Sequence, residues 1–179
     1  FDSTTFTLTV NPVNDAPVIT LINDQVIDED GTLALVLSAF DTDGDDLLFS
    51  ATNGDSEIIV DGTALTIIPP ENYNGSDDVT VTVTDGELSD SATFTLTVNP
   101  VNDAPVLDII ADQSIDEDNV FSYTLAGSDI DEDALYFSAS IDGNASLSIT
   151  DAELSILPDQ DFYGTIEVSI VVTDTQLED

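Results

Sequence analysis

The chain has 179 residues and carries 38 acidic side chains with no Lys, Arg or His, so its net charge is −38. Ion pairs between its side chains are excluded, and self-repulsion opposes folding unless cations from solution compensate it. Nucleic acid is excluded as a partner because its phosphates require basic contacts. No Cys is present, which excludes disulfides and thiolate metal sites, and no apolar run is long enough to insert across a membrane.

An internal repeat divides the chain. Residues 11–18, Asn-Pro-Val-Asn-Asp-Ala-Pro-Val, return 88 positions later at 99–106. The preceding residues 6–10, Phe-Thr-Leu-Thr-Val, return at 94–98 with the same spacing. A period of this length indicates an array of small domains, each with a modest core of its own.

The repeat boundaries leave one segment without a complete domain. We expect repeat 1 at residues 11–98 and repeat 2 at residues 99–179, the second lacking its last strand. Residues 1–10 then form the last strand of a preceding or neighbouring domain. Two explanations remain open: the chain is a window on a longer tandem array, or residues 3–10 are donated to the incomplete second domain of another copy.

Alternating apolar and polar residues dominate the hydrophobic pattern, for example Val79-Thr80-Val81-Thr82-Val83. Period-two alternation between Asp-Gly, Asn-Gly and Pro-Pro turns indicates short strands with one buried face. The predicted fold is all-β, with tandem seven-stranded Greek-key β-sandwiches. The predicted strands are 17–27, with a break allowed within it, 32–39, 46–51, 56–60, 63–68, 77–84 and 91–98 in repeat 1, and 105–115, 120–127, 134–140, 146–150, 153–157 and 164–173 in repeat 2.

A fixed order of motifs follows the linker in both repeats. The motifs are an acidic pair, an Asp-x-Asp-x-Asp loop (41–45 and 129–133), an aromatic turn before Gly (73–75 and 162–164) and Val-Thr-Asp (83–85 and 172–174). This order resembles the cadherin-like tandem repeats of bacterial surface adhesins over nearly the whole chain. The resemblance implies Ig/cadherin-like sandwiches, an extracellular location at the cell surface, and calcium between successive domains.

Calcium takes six to eight oxygen ligands, which Asp carboxylates, Asn amides and backbone carbonyls supply. Pro100 and Ala104 depart from the animal cadherin linker pattern, so we expect only one or two ions per joint. Asp85 and Asp174, in the loop before the last strand, are additional candidate ligands. The residues that match the cadherin pattern are Glu29, Asn102, Asp103, Asp129 and Asp131 for the joint after repeat 1, and Asn14, Asp15, Asp41, Asp43 and Glu117 of a neighbouring copy for the joint before it.

These features favour a structural module of a calcium-stiffened extracellular adhesin stalk or filament, whose partners are neighbouring copies or repeats of the same protein. The alternative is a calcium-dependent glycan-binding module with a glycan or surface ligand as partner. An enzyme is not expected, because the acids recur in both repeats and no Trp is present to wall a sugar pocket. The sequons at Asn74 and Asn144 are acceptors only where the source organism glycosylates.

Overall fold

The computed structural model describes residues 1–177; Glu178 and Asp179, where repeat 2 was predicted to end, lie outside the described residues. The chain divides into two compact units, unit 1 (Phe1–Val101) and unit 2 (Asn102–Asp179). All regular elements of the described residues are β-strands, which confirms the predicted all-β fold class. Residues 1–177 accordingly hold no helix of the length and apolar character needed to cross a membrane.

Unit 1 has nine strands at or close to the predicted positions. Two predicted strands, 17–27 and 32–39, are each broken into two shorter pieces. The strands are β1 (Val18–Ile19), β2 (Gln25–Asp28), β3 (Leu33–Val36), β4 (Ala39–Phe40), β5 (Leu48–Thr52), β6 (Glu57–Asp61), β7 (Ala64–Ile68), β8 (Gly75–Thr84) and β9 (Ser89–Asn99).

A four-stranded sheet and a three-stranded sheet form the sandwich of unit 1. The first has the order β2-β9-β8-β5 and the second β3-β7-β6, while β1 pairs with β4. Strand β9 is central, because it pairs antiparallel with β8 and parallel with β2. Alternate residues of each strand point inward, as their period-two pattern requires. The buried core is Leu33, Leu37, Leu65, Ile67, Val79, Val81, Phe94, Leu96 and Val98.

Unit 2 repeats this plan with fewer paired strands. Its sheets have the orders β11-β15-β14 and β13-β16, and β10 pairs with β12. Its fully buried cluster is smaller and consists of Leu125, Leu154 and Ile156. The strands are β10 (Val106–Leu107), β11 (Phe121–Thr124), β12 (Gly127–Ser128), β13 (Tyr136–Ile141), β14 (Ala145–Thr150), β15 (Glu153–Pro158) and β16 (Val168–Thr173).

The prediction of a strand over 105–115 was wrong beyond Leu107. Residues 113–116, Gln-Ser-Ile-Asp, are the counterpart of β2, Gln-Val-Ile-Asp, yet they are irregular and exposed. In unit 1 the partner of β2 is β9, and no counterpart of β9 lies among the described residues of unit 2. Strand formation depends on a neighbouring strand as much as on the segment's own sequence. Without a counterpart of β9 among the described residues, this segment forms no strand.

The aromatic turn has the same geometry in both units. Gly75 has φ +150° and Gly164 has φ +151°, a region that L-residues with side chains rarely adopt. A Cβ atom at Gly75 would lie 3.0 Å from Tyr73 Oη, and one at Gly164 would lie 3.1 Å from Phe162 Cζ. The ring therefore covers the glycine, which fixes the chain path that leads into β8 and towards β16.

Candidate metal centre

The Asp-x-Asp-x-Asp loop of unit 1 is organised around one buried carboxylate, that of Asp41. Its Oδ1 accepts hydrogen bonds from the backbone N–H groups of Asp43 (2.8 Å), Gly44 (3.0 Å) and Asp45 (3.4 Å). Only 7% of Asp41 is exposed, and its Oδ2 atom has no hydrogen-bond partner. Carboxylate oxygens of Asp41, Asp43 and Asp45 lie within 4.8 Å of one another. A buried, unpaired carboxylate oxygen is costly, and a cation bound there would compensate it.

The linker residues of unit 1 lie against this loop. Asn14 Nδ2 donates to Asp85 Oδ2 at 2.9 Å, and the backbone N–H of Asp15 donates to Asp43 Oδ2 at 2.8 Å. Asp85 is the acid of the Val-Thr-Asp motif and is 71 residues away from Asn14 along the chain. The unit thus brings together five of the residues predicted from sequence, since Asp41 belongs to the same loop. The amide donation of Asn14 leaves its Oδ1 as an oxygen ligand.

Unit 2 builds the same arrangement from the second copy of the motifs. Asn102 Nδ2 donates to Asp174 Oδ2 at 2.6 Å, and the N–H of Asp103 donates to Asp131 Oδ2 at 2.8 Å. Asp129 Oδ1 accepts from the N–H of Asp131 at 2.9 Å, and Asp129 Oδ2 is buried without a hydrogen-bond partner. The linker pair, the Asp-x-Asp loop and the Val-Thr-Asp acid therefore converge in each unit separately.

One residue distinguishes the two copies. In unit 2, Gln176 Nε2 donates to Asn102 Oδ1 at 2.7 Å and occupies an oxygen that a cation would use. The counterpart of Gln176 in unit 1 is Glu87, whose side chain has no amide N–H to donate in this way. The amide oxygen of Asn14 is therefore the more available of the two.

Glu29 lies at the other end of unit 1, against the segment that leads out of it. Its Oε1 accepts from the backbone N–H of Val101 at 2.5 Å and its Oε2 accepts from Asn74 Nδ2 at 3.3 Å. Its own N–H donates to the carbonyl oxygen of Asn99 at 2.9 Å. Glu29 is only 5% exposed, whereas its counterpart Glu117 in unit 2 is exposed.

Hydrogen bonds to the Val-Thr-Asp acids lower their pKa. The N–H groups of Leu88 and Glu87 and the amide of Asn14 stabilise the Asp85 carboxylate, which holds its pKa below the ordinary value. The N–H of Leu177 does the same for Asp174, against the opposing effect of burial, with help from Asn102 and the N–H of Gln176. Both acids are therefore ionised, as cation binding requires, over the whole neutral range.

Sequence reasoning missed Asp45 as a candidate ligand. Its carboxylate belongs to the cluster of Asp41 and Asp43, and the signal for it was the third acid of the Asp-x-Asp-x-Asp motif. The available donors are carboxylate and amide oxygens without nitrogen or sulfur ligands, since the chain has no His or Cys. This donor set fits a hard cation such as Ca²⁺ and does not suit softer transition metals.

A family model described as a bacterial Ig domain matches the chain twice, at residues 14–97 and 102–178. The chain belongs to the bacterial Ig domain family. A search of curated proteins gave no match. The bacterial Ig match covers both compact units, and such domains are typically non-catalytic and usually extracellular. It does not distinguish the adhesin repeat type, which stays a prediction.

Solved structures show the same fold in this bacterial Ig protein and in cadherins. Human protocadherin-24 EC1-2, form II, is 15% identical, with a TM-score of 0.59 over 89% of this chain and 87% of that one. Drosophila N-cadherin EC1-4 is 12% identical, with a TM-score of 0.54 over 93% of this chain and 48% of that one. An endo-fucoidan hydrolase of glycoside hydrolase family 107 also matches, at 22% identity and a TM-score of 0.45. The match covers 96% of this chain but only 28% of the hydrolase.

Proposed function

We propose that the protein is a structural module of a calcium-stiffened extracellular stalk or filament of an adhesin. The observation that carries the proposal is the buried Asp41 carboxylate, whose Oδ2 has no hydrogen-bond partner. The carboxylates of Asp43 and Asp45 lie close enough to share a cation with it. The second unit repeats the feature at Asp129. Two equivalent sites in two tandem domains fit an architectural role better than a single reaction centre.

The proposed ions lie at the joints between successive domains, with the repeat boundaries at residues 10/11 and 98/99. Each joint draws ligands from the end of one domain, the linker, and the Asp-rich loops of the next. Held by several carboxylates, Ca²⁺ cancels local repulsion and makes one domain angle more favourable than the others. The proposed ligands are Glu29, Asn102, Asp103, Asp129, Asp131 and Asp174 at one joint, and Asn14, Asp15, Asp41, Asp43, Asp85 and Glu117 of a neighbouring copy at the other.

The stabilisation expected from each ion depends on how far the calcium concentration exceeds the dissociation constant. Extracellular modules bind Ca²⁺ with dissociation constants of about 10⁻⁴–10⁻³ M. At about 100-fold excess over the dissociation constant, one site adds about 2.7 kcal/mol to the free energy of unfolding. This is a large share of the stability of a small domain.

A finer part of the proposal concerns how copies are joined. Residues 3–10, Ser-Thr-Thr-Phe-Thr-Leu-Thr-Val, match β9 residues 91–98 at seven of eight positions. In unit 1 they are exposed and form no strand. We propose that they are donated as a strand to a neighbouring copy or repeat, which would join successive modules without a covalent bond.

Calcium titration by calorimetry, starting from chelated protein, tests the metal sites. The wild type should bind calcium with sub-millimolar to millimolar affinity, and Asp41→Asn should lose binding at the unit 1 site, because it removes the buried charge while keeping the side-chain shape. Asp46→Asn is the matched control, since it removes one exposed acid from the same loop and should leave binding unchanged. Equal calcium binding by wild type and Asp41→Asn would contradict the proposal.

Stiffening is measured on the same samples by small-angle X-ray scattering. Calcium should narrow the distribution of the radius of gyration of the wild type, because fewer domain angles satisfy the ligands. Asp103→Asn should bind less calcium and keep the broad distribution. If calcium binds but leaves the distribution unchanged, the ions are local to each domain and do not stiffen the joint.

A further inference from the structure

The two candidate metal sites differ in one side-chain hydrogen bond to the linker Asn. In unit 2, Gln176 Nε2 donates to Asn102 Oδ1 at 2.7 Å. The corresponding residue of unit 1 is Glu87, which has no amide N–H to donate. Asn14 uses its Nδ2 to donate to Asp85 Oδ2 and keeps its Oδ1 for another partner. The same ligand oxygen is therefore occupied in unit 2 and open in unit 1.

The loops that carry Glu87 and Gln176 have the same backbone arrangement. The N–H of Glu87 donates to Asp85 Oδ1 at 2.7 Å, and the N–H of Gln176 donates to Asp174 Oδ1 at 2.6 Å. Each loop is also closed by a Thr hydroxyl that donates to a Leu carbonyl, at 2.7 Å in unit 1 and 2.6 Å in unit 2. The difference between the two sites therefore comes from the side chains and not from the path of the loop.

Protein groups satisfy both ends of the Asn102 amide. Its Nδ2 donates to Asp174 Oδ2 at 2.6 Å and to the carbonyl oxygen of Asp103 at 3.0 Å, while its Oδ1 accepts from Gln176. An amide oxygen has two lone pairs, but a donor at this distance directs the positive end of an N–H dipole at the oxygen that would bind the ion. The Gln176 amide and a cation therefore compete for Asn102 Oδ1.

We propose that this competition sets the order in which the two sites fill, with the unit 1 site binding calcium at a lower concentration than the unit 2 site. The inference rests on the metal sites proposed above and deepens them by assigning each its own affinity. Gln176 determines affinity by holding Asn102 and is not itself a ligand.

The charge at this position acts in the same direction. Glu87 adds an exposed carboxylate to the loop that holds Asp85, whereas Gln176 adds none. Charges separated by less than about 8 Å are only partly screened at physiological ionic strength. The loop of unit 1 therefore attracts a cation more strongly than the loop of unit 2.

Both sites nevertheless keep the feature that favours a bound cation. Asp41 is 7% exposed, and its Oδ2 is buried without a hydrogen-bond partner, as is Oδ2 of Asp129. The Gln176 hydrogen bond thus raises the calcium concentration that the unit 2 site requires without abolishing the site. At intermediate calcium concentrations only unit 1 is loaded, so the chain gains stability in two steps.

Calorimetry on the chelated 179-residue chain measures one site at a time. The unit 2 site is titrated in an Asp41→Asn background and the unit 1 site in an Asp129→Asn background, and unit 2 should bind calcium more weakly. Adding Gln176→Met removes the donor while keeping the side-chain length. It should tighten calcium binding by unit 2 about 2- to 10-fold, the size of one net hydrogen bond.

A matched control is available in the same unit. Gln113 is exposed, and its Nε2 donates to the carbonyl oxygen of Ala111. Gln113→Met makes the same chemical change outside the Asp-rich loops and should leave the affinity of unit 2 as it was.

The reciprocal substitutions are made in unit 1. Glu87→Gln introduces the donor and removes the charge, whereas Glu87→Met removes the charge alone. Both should weaken calcium binding by unit 1, and Glu87→Gln should weaken it further because its amide competes for Asn14 Oδ1. Equal affinities of the two variants would contradict the competition.

Nuclear magnetic resonance of the side-chain amides follows the hydrogen bond itself. As calcium fills unit 2, the Nε2 proton signals of Gln176 should move to the chemical shifts of a solvent-exposed amide. In the Asp129→Asn chain they should stay in place while unit 1 fills.

The outcomes separate this inference from the metal sites. If unit 2 binds calcium with the same affinity after Gln176→Met, or fills while the Gln176 signals stay in place, the competition is refuted and the sites remain. Loss of calcium binding in Gln176→Met would make Gln176 a ligand and overturn the inference as well. A wild type that binds no calcium refutes the sites and the competition together.

Discussion

At the level of single residues, backbone amides take the place of the missing basic side chains. The best-held carboxylates, Asp41, Asp85 and Asp174, each accept two or more backbone N–H groups. Such donors fix the position of the carboxylate without neutralising its charge. The protein therefore holds these carboxylates in fixed positions before a cation arrives, and at Asp85 and Asp174 the hydrogen bonds also lower the pKa.

The lowered pKa of Asp85 predicts a defined pH dependence of stability. The carboxylate contributes its full stabilisation above the ordinary pKa of 3.8 and loses it as pH falls through the lower, folded-state value, because the unfolded chain takes up the proton first. Without calcium, wild type should be more stable than Asp85→Asn to a constant degree from about pH 7 to pH 5, and the difference should shrink progressively as pH falls below about 4. Urea unfolding at each pH measures the free energy of unfolding of both proteins.

The control for this prediction is Asp46→Asn, which removes an exposed acid from the same unit. Its difference from wild type should be small at every pH, since surface substitutions change stability little. A wild-type advantage over Asp85→Asn that persists undiminished to about pH 2 would show that the carboxylate hydrogen bonds contribute nothing to it.

The candidate ligands were predictable where the motif repeats in sequence and poorly predictable where contacts are long-range. The linker pair and the Asp-x-Asp loops were identified because both copies stand in the chain. The role of Asp85 in holding Asn14 depends on a contact across 71 residues, which local sequence does not encode. The binding of Gln176 to Asn102 likewise depends on the folded loop.

At the level of elements, β9 is the strand on which unit 1 depends. It runs between β8 and β2, and its inward side chains Phe94, Leu96 and Val98 form a large part of the buried core. The outward positions carry Thr, which suits an exposed strand face. Residues 3–10, which match residues 91–98 at seven of eight positions, lack these neighbours and form no strand.

This contrast gives a matched pair of substitutions. Leu96→Ala should lower the free energy of unfolding by about 2–5 kcal/mol, the usual cost of a cavity in a packed core. Leu8→Ala, at the exposed counterpart, should change it by less than about 0.5 kcal/mol in dilute monomeric protein. Urea unfolding followed by circular dichroism measures both. A Leu8→Ala variant as destabilised as Leu96→Ala would mean that residues 3–10 are packed within their own chain.

Strand positions in unit 1 were predictable from alternation, because each predicted strand there has a partner. In unit 2 the same alternation overestimated the order of residues 105–115, of which only Val106–Leu107 is a strand. Strand 164–173 similarly begins at Val168, whereas its counterpart β8 begins at Gly75 opposite Val98. The physical cause is the same in both cases. The free energy of strand pairing comes from a neighbouring strand that is often far away in sequence, and periodicity carries no information about that neighbour.

At the level of the whole molecule, the net charge of −38 makes stability depend on dissolved cations. Sodium chloride acts by screening, with a decay length of about 10 Å at 0.1 M. Calcium acts by direct ligation as well, so it should raise the melting temperature more than sodium chloride at equal ionic strength. Magnesium should have an intermediate effect, because it demands octahedral geometry and gives up its water reluctantly.

Differential scanning calorimetry in matched salts measures this ordering. The Asp41→Asn, Asp129→Asn double variant serves as the control. It keeps nearly all of the net charge while removing the two carboxylates whose Oδ2 atoms are buried without a hydrogen-bond partner. In that variant calcium and magnesium should become equivalent. Equal melting temperatures in calcium and sodium chloride for the wild type would leave screening as the only electrostatic effect.

The parallel pairing of β2 with β9 determines how unit 1 responds to mechanical load. Tension applied through the linkers at 11–18 and 99–106 pulls β2 and β9 in opposite directions along their common axis. The hydrogen bonds between β2 (Gln25–Asp28) and β9 are then loaded in shear. They resist the force together and do not open one after another from one end.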